Sequence, residues 1–393
     1  MNYHLMIDEK FTNDFIADAE KYAPHKNVYI VSCYTKEPRF VDSALVTLVK
    51  SAKKYWFSTI ANKLKKSDKV FIHWLDRRVY DIVLSLPEEV EVGIFSWMGD
   101  LIATPTYLFD KDILKSTSFD FFNKHKKNRF DKDPQHGRFY NSLLFGRHIW
   151  RVAFSPVEWR KKKQVMQRIN LFFHWNEFDY QWVKDHYPGF RAKFVYFVYE
   201  IGLNENNSYL LNSDSWCTTD QITIWLGNSA TISNNHFEAL DDISHLKDDP
   251  VEIICPLSYG ERTDSKYTKQ VIGKGERIFG KKFKPLLEFI DREEYYAMFN
   301  KVGIVVMNHI RSQAAGNVFM FLKLGKIIFM DEKSTLYQFI HSKNAQNIYT
   351  MRQLKNFSFN ELKKMLDEKQ MHKDIGSILD MDAKVANLKK YLN

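Results

Sequence analysis

Two polar turns in the second half of the sequence carry side chains that could bind phosphate groups. The first lies in TIWLGNSATISNNHFEAL, residues 223–240, where an apolar strand runs into small polar residues before a helix. Gly227 permits a tight turn, while Ser229 and Ser233 can donate to phosphate oxygens beside the backbone N–H groups of the helix. An ordinary strand–turn–helix connection, with Ser233 or Asn234 as the helix cap, explains the same pattern equally well.

The second turn lies in VVMNHIRSQAAGNVFMFLKLGK, residues 305–326, where a polar loop follows an apolar strand. The loop contains His309, Arg311, Ser312, Gln313 and Gly316, and a helix is predicted to start near Asn317. Arg311 could bind a phosphate with two hydrogen bonds, and the Ala-Ala-Gly run lets a ligand approach the backbone closely. The alternative is a surface loop with a solvated arginine. Several anion donors at the end of one strand favour a binding function.

Two residues in the first half follow apolar strands and could act as proton acceptors. Asp100 follows FSWMG, and His73 ends the strand-like segment KVFIH. At a strand's carboxyl end, such groups can serve as a general base toward an attacking hydroxyl. A helix cap at Asp100 and a buried structural histidine at position 73 are the alternatives.

The metal signal is weak, because the Asp-x-Asp pairs at residues 131–133 and 380–382 do not follow a buried strand. Histidine and cysteine form no cluster with metal-ligand spacing. We therefore predict that the protein needs no metal ion.

Positive charge is concentrated in one segment. The chain has a formal net charge of +9, and residues 111–168 contain fifteen Lys or Arg against five Asp or Glu. Tryptophan and phenylalanine alternate with the cations, a combination that suits an anionic membrane interface. The membrane-binding candidates are Lys126, Lys127, Arg151, Trp159, Arg160, Lys161 and Lys162. Nucleic-acid binding or a merely solvated helix face would produce a similar composition.

The rest of the composition indicates a soluble protein of a reducing compartment. Three cysteines cannot build a disulfide framework, and no run of eighteen apolar residues occurs. The N-terminus lacks the form of a signal peptide, so we expect the chain to stay inside the cell.

Strand-like and helix-like segments alternate along most of the chain, which predicts parallel sheets with crossover helices. In the first half, the predicted strands are residues 3–7, 27–31, 69–73, 91–97, 165–173 and 192–199. A polar stretch over residues 203–219 is the predicted linker. We expect an N-terminal Rossmann-like domain over residues 1–205 that includes the basic segment, a C-terminal Rossmann-like domain over residues 220–376 and a helical tail over residues 377–393. Two such domains would face a cleft that binds ligands.

Taken in order, these motifs resemble the bacterial TDP-4-acetamidofucose:lipid-linked disaccharide transferases of enterobacterial common antigen synthesis. The resemblance is strongest in LGNSATISNNHFEAL, CPLSYG, EFIDREEYYAMFNKVGIVVM and QAAGNVFMFLKLGK, and covers most of the chain. It implies an α/β, GT-B-like fold and a metal-independent glycosyltransferase without a cofactor. The donor residues that it implies are Asn228, Ser229, Ser233, Asn234, His236, Tyr259, Gln313, Gly316 and Asn317, with Arg311 from the chemistry of its loop.

The resemblance also implies a reaction. The enzyme would move a 4-acetamido-dideoxyhexose from a dTDP-sugar to a polyprenyl-diphosphate-linked glycan for bacterial surface polysaccharide. It would work as a peripheral protein at the cytoplasmic face of the inner membrane, with the acceptor near His73 and Asp100. The alternatives are a nucleotide-sugar epimerase of the same fold, or a nucleic-acid-binding protein that uses the basic segment.

Overall fold

The computed structural model describes residues 1–33, 35, 37–102, 109–126, 138–199, 221–368 and 378–393. Its strands are β1 (Asn2–Ile7), β2 (Asn27–Ser32), β3 (Val46–Val49), β4 (Lys69–Ile72), β5 (Glu91–Phe95), β6 (Leu171–His174), β7 (Lys193–Tyr196), β8 (Ile222–Leu226), β9 (Val251–Pro256), β10 (Phe283–Leu286), β11 (Ile304–Met307), β12 (Ile327–Met330) and β13 (Ile348–Thr350). All the pairings described within the two sheets are parallel.

Helices connect the strands. In chain order they are α1 (Thr12–Tyr22), α2 (Ala52–Tyr55), α3 (Arg77–Leu84), α4 (Gly99–Ile102), α5 (Asp110–Ile113), α6 (Ser116–Lys126), α7 (Arg138–Arg168), α8 (Glu177–His186), α9 (His236–Asp242), α10 (Lys266–Phe279), α11 (Arg292–Phe299), α12 (Ala315–Lys323), α13 (Thr335–Ser342), α14 (Met351–Leu354), α15 (Phe359–Glu368) and α16 (Met381–Leu392).

The chain forms two compact units. Unit 1 contains β1 to β7 with α1 to α4, α7, α8 and α16, and unit 2 contains β8 to β13 with α5, α6 and α9 to α15. The prediction of two parallel-sheet α/β domains is therefore confirmed. The predicted boundaries differ from the structure, because α5 and α6 belong to unit 2 and the tail helix α16 belongs to unit 1.

The strand order is similar in the two sheets. Unit 1 has the order β3-β2-β1-β4-β5-β6-β7, and unit 2 has β10-β9-β8-β11-β12-β13. In each sheet the chain starts in the middle, builds outward on one side and then crosses to the other. The crossing points lie between β1 and β4 in unit 1 and between β8 and β11 in unit 2. Ligands of such sheets bind where the strand order reverses, at the carboxyl ends of the strands.

Apolar strands explain why these sheets are buried on both faces. Every residue of β8, β11 and β12 is buried, as expected for parallel strands covered by helices. In unit 1, the rings of Phe71, Phe95 and Phe173 pack against one another across neighbouring strands of the core. Two short strands, β3 and β13, lie at the sheet edges, and the sequence pattern did not reveal them because their residues are mostly half-buried.

One predicted strand starts later than expected. Residues 165–168, which begin with the apolar Val165 and Met166, belong to α7, and β6 begins only at Leu171. Val165 and Met166 are buried on the inner face of the helix, so their apolar character reflects helix packing. The predicted linker, residues 203–219, lies outside the described residues.

Two glycines of α10 give a paired test of packing in unit 2. A methyl group at Gly275 would lie 2.6 Å from ring atoms of the buried Phe283, whereas nothing lies within 4 Å of one at Gly273. We expect Gly275→Ala to destabilise the unit by about 1–3 kcal/mol through overpacking. Gly273→Ala should stabilise it by about 0.5–1 kcal/mol through helix propensity. Thermal unfolding of both variants checks this, and equal shifts in Tm would contradict the packing.

Candidate active site

Two loops of unit 2 lie side by side at the point where its strand order reverses. The first follows β8 and the second follows β11, and these strands pair in parallel with Ile304 opposite Ile224 and Val306 opposite Leu226. The register brings both carboxyl ends to one edge of the sheet. The two polar turns of the sequence analysis are these two loops, so the fold brings them together.

The loop after β8 is held in shape by its own side chains. Asn234, almost fully buried, donates from Nδ2 to the backbone oxygen of Ser229 at 2.9 Å and to Thr231 Oγ1 at 2.9 Å. Its Oδ1 accepts the backbone N–H of Asn228 at 3.1 Å. Ser229 is buried beside it, with its hydroxyl 2.9 Å from that of Thr231. Asn234 and Ser229 therefore brace the turn, whereas the sequence prediction placed them on the donor.

His236 is a second buried brace. Its Nδ1 lies 2.7 Å from the Tyr267 hydroxyl, and burial lowers the pKa of the ring to about 3. A Cβ on Gly227 would lie 2.6 Å from His236 Nε2. Since Gly227 also has a φ of +72°, only glycine fits this turn without strain.

Side chains join the two loops directly. The Ser233 hydroxyl donates to Gln313 Oε1 at 2.8 Å, and Gln313 Nε2 donates to Asn228 Oδ1 at 3.0 Å. Arg311 Nε donates to the Ser233 hydroxyl at 3.2 Å. Asn228, Arg311 and Gln313 are half-buried, so they combine a fixed position with access to solvent. This cluster concentrates hydrogen-bond donors and one positive charge at the edge of the sheet.

The helix after the second loop begins without a side-chain cap. Ala314, at the N-cap of α12, adopts a left-handed conformation with a φ of 56°, and its methyl side chain cannot accept from the first N–H groups. Gly316 and Asn317 lie in the first turn and are half-buried. Asn317 Nδ2 donates to the Tyr295 hydroxyl at 2.9 Å, which fixes its amide. Uncapped N–H groups and the helix dipole make this end suitable for an anion.

Tyr259 is placed beside the first loop by a backbone contact. Its carbonyl accepts the N–H of Ala230 at 2.6 Å, and its side chain is 73% exposed. Gly260 follows with a φ of +105°, and a Cβ there would meet Thr231 at 2.8 Å. An exposed aromatic ring beside this loop can stack against a nucleoside base.

The structure adds a cation that sequence analysis did not single out. Lys115, just before α6, forms an ion pair with Asp331 at 2.6 Å and donates to Asn308 Oδ1. Its backbone N–H donates to Asn235 Oδ1 at 2.9 Å. Nothing near Lys115 in the sequence signals this role, because the contact depends on α5 and α6 joining unit 2.

Next to Arg311, the loop after β11 contains buried polar atoms. His309 is fully buried, and neither ring nitrogen makes a hydrogen bond of normal geometry within the described part of the chain. Burial, and to a smaller extent the Arg311 charge, lowers the pKa of His309 to about 3. The ring is therefore neutral at physiological pH.

In unit 1, His73 lies directly after β4, at the reversal point of that sheet. It is buried, with Nε2 3.1 Å from His4 Nδ1 and Nδ1 3.0 Å from the Tyr199 hydroxyl. Met6, Glu9, Trp97 and Tyr199 line a small crevice with it. The geometry places His73 at the edge of the sheet where a ligand of unit 1 is expected.

Asp100 has a different environment from the one predicted. Only 2% of it is exposed, and its Oδ2 accepts the backbone N–H of Leu75 at 2.9 Å. Burial raises the pKa of its carboxyl. A base must touch the hydroxyl that it deprotonates. Asp100 thus links the segment after β4 to α4. Its buried carboxyl lacks the access that the predicted role as a base requires.

The basic segment is divided between the two units, and its predicted membrane residues differ in exposure. Lys162 is wrong as a membrane residue, because it is 1% exposed and its Nζ donates to the backbone oxygens of Asp100 at 2.7 Å and Leu101 at 3.1 Å. Burial lowers its pKa to about 8. Trp159 is half-buried, with its ring 5.4 Å from that of Tyr187.

The remaining candidates of this segment are more accessible. Lys161 is partly exposed and pairs with Asp81 at 2.7 Å, and Arg160 is exposed. Lys127 and the side chains of Lys126 and Arg151 lie outside the described residues. Two apolar side chains of α7 face solvent near Arg160, with Phe154 41% and Val157 52% exposed.

The described residues contain neither a candidate membrane span nor a candidate metal cluster. No helix there is both long and apolar enough to cross a bilayer. In the same ranges, no three His, Cys, Asp or Glu side chains are grouped so that they could hold a metal ion. Metal independence stays a prediction.

Comparison with known proteins identifies the family. The family model described as 4-alpha-L-fucosyltransferase, glycosyl transferase group 56, matches residues 160–375, which is more than half of the chain. The chain belongs to this family. The match includes both loops of unit 2, and it confirms the predicted resemblance at the level of the family. A glycosyltransferase is thereby favoured over the epimerase and the nucleic-acid-binding protein.

Solved structures support the fold of this group 56 glycosyltransferase. Sucrose-phosphate synthase from Thermosynechococcus elongatus matches with a TM-score of 0.56 and 8% identity, over 100% of this chain and 95% of that chain. The trehalose 6-phosphate synthase of Burkholderia multivorans matches with a TM-score of 0.53 and 9% identity, over 99% of this chain and 93% of that chain. A UDP-forming trehalose-phosphate synthase from Burkholderia xenovorans matches with a TM-score of 0.53 and 9% identity, over 98% of this chain and 96% of that chain. These enzymes have the GT-B fold, so the predicted fold class is confirmed.

Four buried histidines predict how stability depends on pH. Burial lowers the pKa of His4, His236 and His309 from 6.5 to about 3, and that of His73 well below 6.5. Below pH 6.5 the unfolded chain therefore binds protons that the folded chain does not. Stability should be highest above pH 6.5 and fall as the pH decreases through this window.

Thermal unfolding between pH 7 and pH 5.5, where most carboxylates stay ionised, measures this effect. His309→Gln removes one of the four groups and should make the decrease in Tm shallower. A wild-type Tm that stays constant over this range would contradict neutral burial of these rings.

Proposed function

We propose that this glycosyltransferase moves a 4-acetamido-dideoxyhexose from a dTDP-sugar to a polyprenyl-diphosphate-linked glycan at the cytoplasmic face of a bacterial inner membrane. The family supports glycosyl transfer from a nucleotide-sugar donor to an acceptor. The sugar, the nucleobase, the lipid-linked acceptor and the location are what the sequence resemblance implies.

The proposed location of the donor site depends on one observation. Asn228, Ser233, Arg311 and Gln313 connect the loops after β8 and β11 through hydrogen bonds at the reversal point of the sheet. The open N-terminus of α12 follows directly. A diphosphate at this edge would accept hydrogen bonds from the Arg311 guanidinium, the Gln313 amide and backbone N–H groups. The nucleobase of the donor could stack on the exposed Tyr259 ring.

The same groups would assist the reaction. When the bond from the sugar to the diphosphate breaks, negative charge grows on the leaving diphosphate. Arg311 and the first N–H groups of α12 would stabilise that charge, since they are already oriented before the bond breaks. Ser233 accepts from Arg311 and donates to Gln313, so it acts as a positioning residue for both of these groups.

Isothermal titration with dTDP and UDP tests the donor site. Losing a hydrogen bond to a charged group costs about 1.5–3 kcal/mol, so Arg311→Ala should weaken dTDP binding about 10- to 150-fold. Arg352→Ala is the matched control, because Arg352 is exposed in the same unit and pairs with Glu332. The control should bind like the wild type. If Arg311→Ala binds dTDP normally, the diphosphate lies elsewhere.

A donor screen identifies the sugar. The protein is incubated with a panel of dTDP- and UDP-sugars and polyprenyl-diphosphate-linked glycans, and products are detected by mass spectrometry. Transfer of an acetamido-dideoxyhexose from the dTDP donor supports the proposal. Transfer only from UDP donors would overturn the choice of nucleotide.

Membrane association would use the outer face of α7. Phe154 and Val157 are exposed there beside Arg160, and Lys161 adds a second partly exposed cation. Apolar side chains can enter the interface while neighbouring cations contact anionic headgroups. Lys162 takes no part, because it is buried.

Flotation with phosphatidylglycerol-containing vesicles tests the membrane face. Removing two exposed apolar side chains with Phe154→Ser and Val157→Ser together should lower the partition constant about tenfold or more. The control is Phe289→Ser, because Phe289 is 81% exposed but belongs to unit 2. Binding should also decrease with salt. Equal flotation of both variants would assign the membrane contact to another surface.

A further inference from the structure

Lys115 places a positive charge where β11 and β12 end. Its Nζ lies 2.6 Å from Asp331 Oδ2 and donates to Asn308 Oδ1. Asn308 directly follows β11 and Asp331 directly follows β12, and these two strands are paired in parallel. The ion pair therefore lies at the same edge of the unit 2 sheet as the loop that contains Arg311.

Two buried asparagines fix the backbone of Lys115. Asn235 Oδ1 accepts the backbone N–H of Lys115 at 2.9 Å, and Asn235 Nδ2 donates to the backbone oxygen of Asn308 at 3.0 Å. Asn308 Nδ2 returns a hydrogen bond to the backbone oxygen of Asn235 at 3.2 Å. Both side chains are buried. The backbone of Lys115 is thus tied to the loops after β8 and β11, while its ammonium reaches the residue after β12.

The helix that follows Lys115 has an anchor of its own. In the first turn of α6, the backbone N–H and the hydroxyl of Ser118 donate to the Glu238 carboxylate at 2.8 Å and 2.6 Å. The helix dipole favours a carboxylate at this end of a helix. Contacts other than the Lys115 side chain therefore hold the segment in unit 2, and a substitution of that side chain should leave the segment in place.

Asp331 is also held by a contact that does not involve Lys115. Its Oδ1 accepts the backbone N–H of Lys333 at 2.8 Å, and only 13% of its side chain is exposed. If the ammonium were removed, the carboxylate would therefore stay at the edge of the sheet without the charge that balances it.

The charge of Asp331 acts on the same surroundings as that of Arg311. Burial is the main cause of the lowered pKa of His309, the Arg311 charge lowers that pKa further, and the Asp331 charge raises it. Both charges therefore act on one buried ring. Charges that are largely removed from water interact more strongly than exposed ones, because less solvent screens them. An unpaired carboxylate here would repel a diphosphate, whereas the ion pair has no net charge.

We infer that Lys115 is a positioning residue of the donor site, which neutralises Asp331 so that this edge of unit 2 can accept a nucleoside diphosphate. By binding Asn308, the same ammonium also fixes the residue at which the Arg311 loop begins. The inference rests on the proposed donor site. It adds to that site a segment whose sequence lies between two parts of unit 1.

Isothermal titration of four full-length proteins tests this role: the wild type, Lys115→Met, Asp331→Asn and the double variant. Lys115→Met leaves the Asp331 charge unpaired, so it should weaken dTDP binding about 3- to 30-fold. Asp331→Asn removes that charge, so this variant should bind dTDP at least as tightly as the wild type. The double variant also lacks the charge, and its affinity should return to within about twofold of the wild type.

Thymidine separates this electrostatic effect from a loss of shape. It carries no phosphate, so all four proteins should bind it equally. The difference in dTDP affinity between Lys115→Met and the wild type should also decrease when NaCl is raised from about 0.02 M to about 0.3 M, because salt screens charges. If Lys115→Met weakens thymidine and dTDP binding by the same factor, Lys115 has only a structural role and the inference is wrong.

Lys274→Met is the matched control. Lys274 belongs to the same unit and pairs with Asp241 at 2.6 Å, and 16% of its side chain is exposed, compared with 20% for Lys115. This variant should bind dTDP like the wild type. An equal loss of affinity in the control would mean that losing any such ion pair of unit 2 weakens binding, and the specific role of Lys115 would be refuted.

A direct contact between Lys115 and a phosphate predicts a different pattern. The double variant would then stay as weak as Lys115→Met, because no cation replaces the lysine. That result, or normal dTDP binding by Lys115→Met, would overturn the inference, while a loss of binding in Arg311→Ala would still support the donor site. If the wild type does not bind dTDP, the donor proposal fails and this inference fails with it.

Discussion

The hydrogen bonds between Ser233, Gln313 and Asn228 are the interaction on which the proposed donor site depends. They join the loops after β8 and β11, which are far apart in sequence but follow neighbouring parallel strands. Because the strands are fully buried, the sheet fixes the distance between the loop ends. The side chains then fix the loops relative to each other, and Arg311 is oriented as a result.

The polar residues of the site fall into two groups that differ in burial. Ser229, Asn234 and His236 are buried and use their hydrogen-bonding groups within the protein. Arg311 and Gln313 are half-buried and belong to the joined edge of the sheet. A rigid turn needs internal partners for its buried polar groups. In the proposed donor site, the residues that shape the loops therefore differ from those that could touch a phosphate.

Unit 1 repeats the same principle with different chemistry. Its sheet also reverses order beside β1, and its crevice also lies at the carboxyl ends of the strands. There the buried polar groups are two histidines and an asparagine, and the lining is aromatic. A cationic edge rich in N–H groups suits a diphosphate. The corresponding edge of unit 1 is mainly aromatic and therefore differs in chemistry.

The amino-acid sequence by itself determined the alternation of strands and helices, the two polar turns and the family, since these depend on local patterns. Only the tertiary structure decided which polar residues are accessible. Lys162 and Asp100 have the same residue types as surface cations and catalytic carboxylates, but helix packing buries both. Lys115 reaches the loops of unit 2 because the chain crosses over at α5. Burial and crossover depend on contacts between distant segments, and no local pattern encodes them.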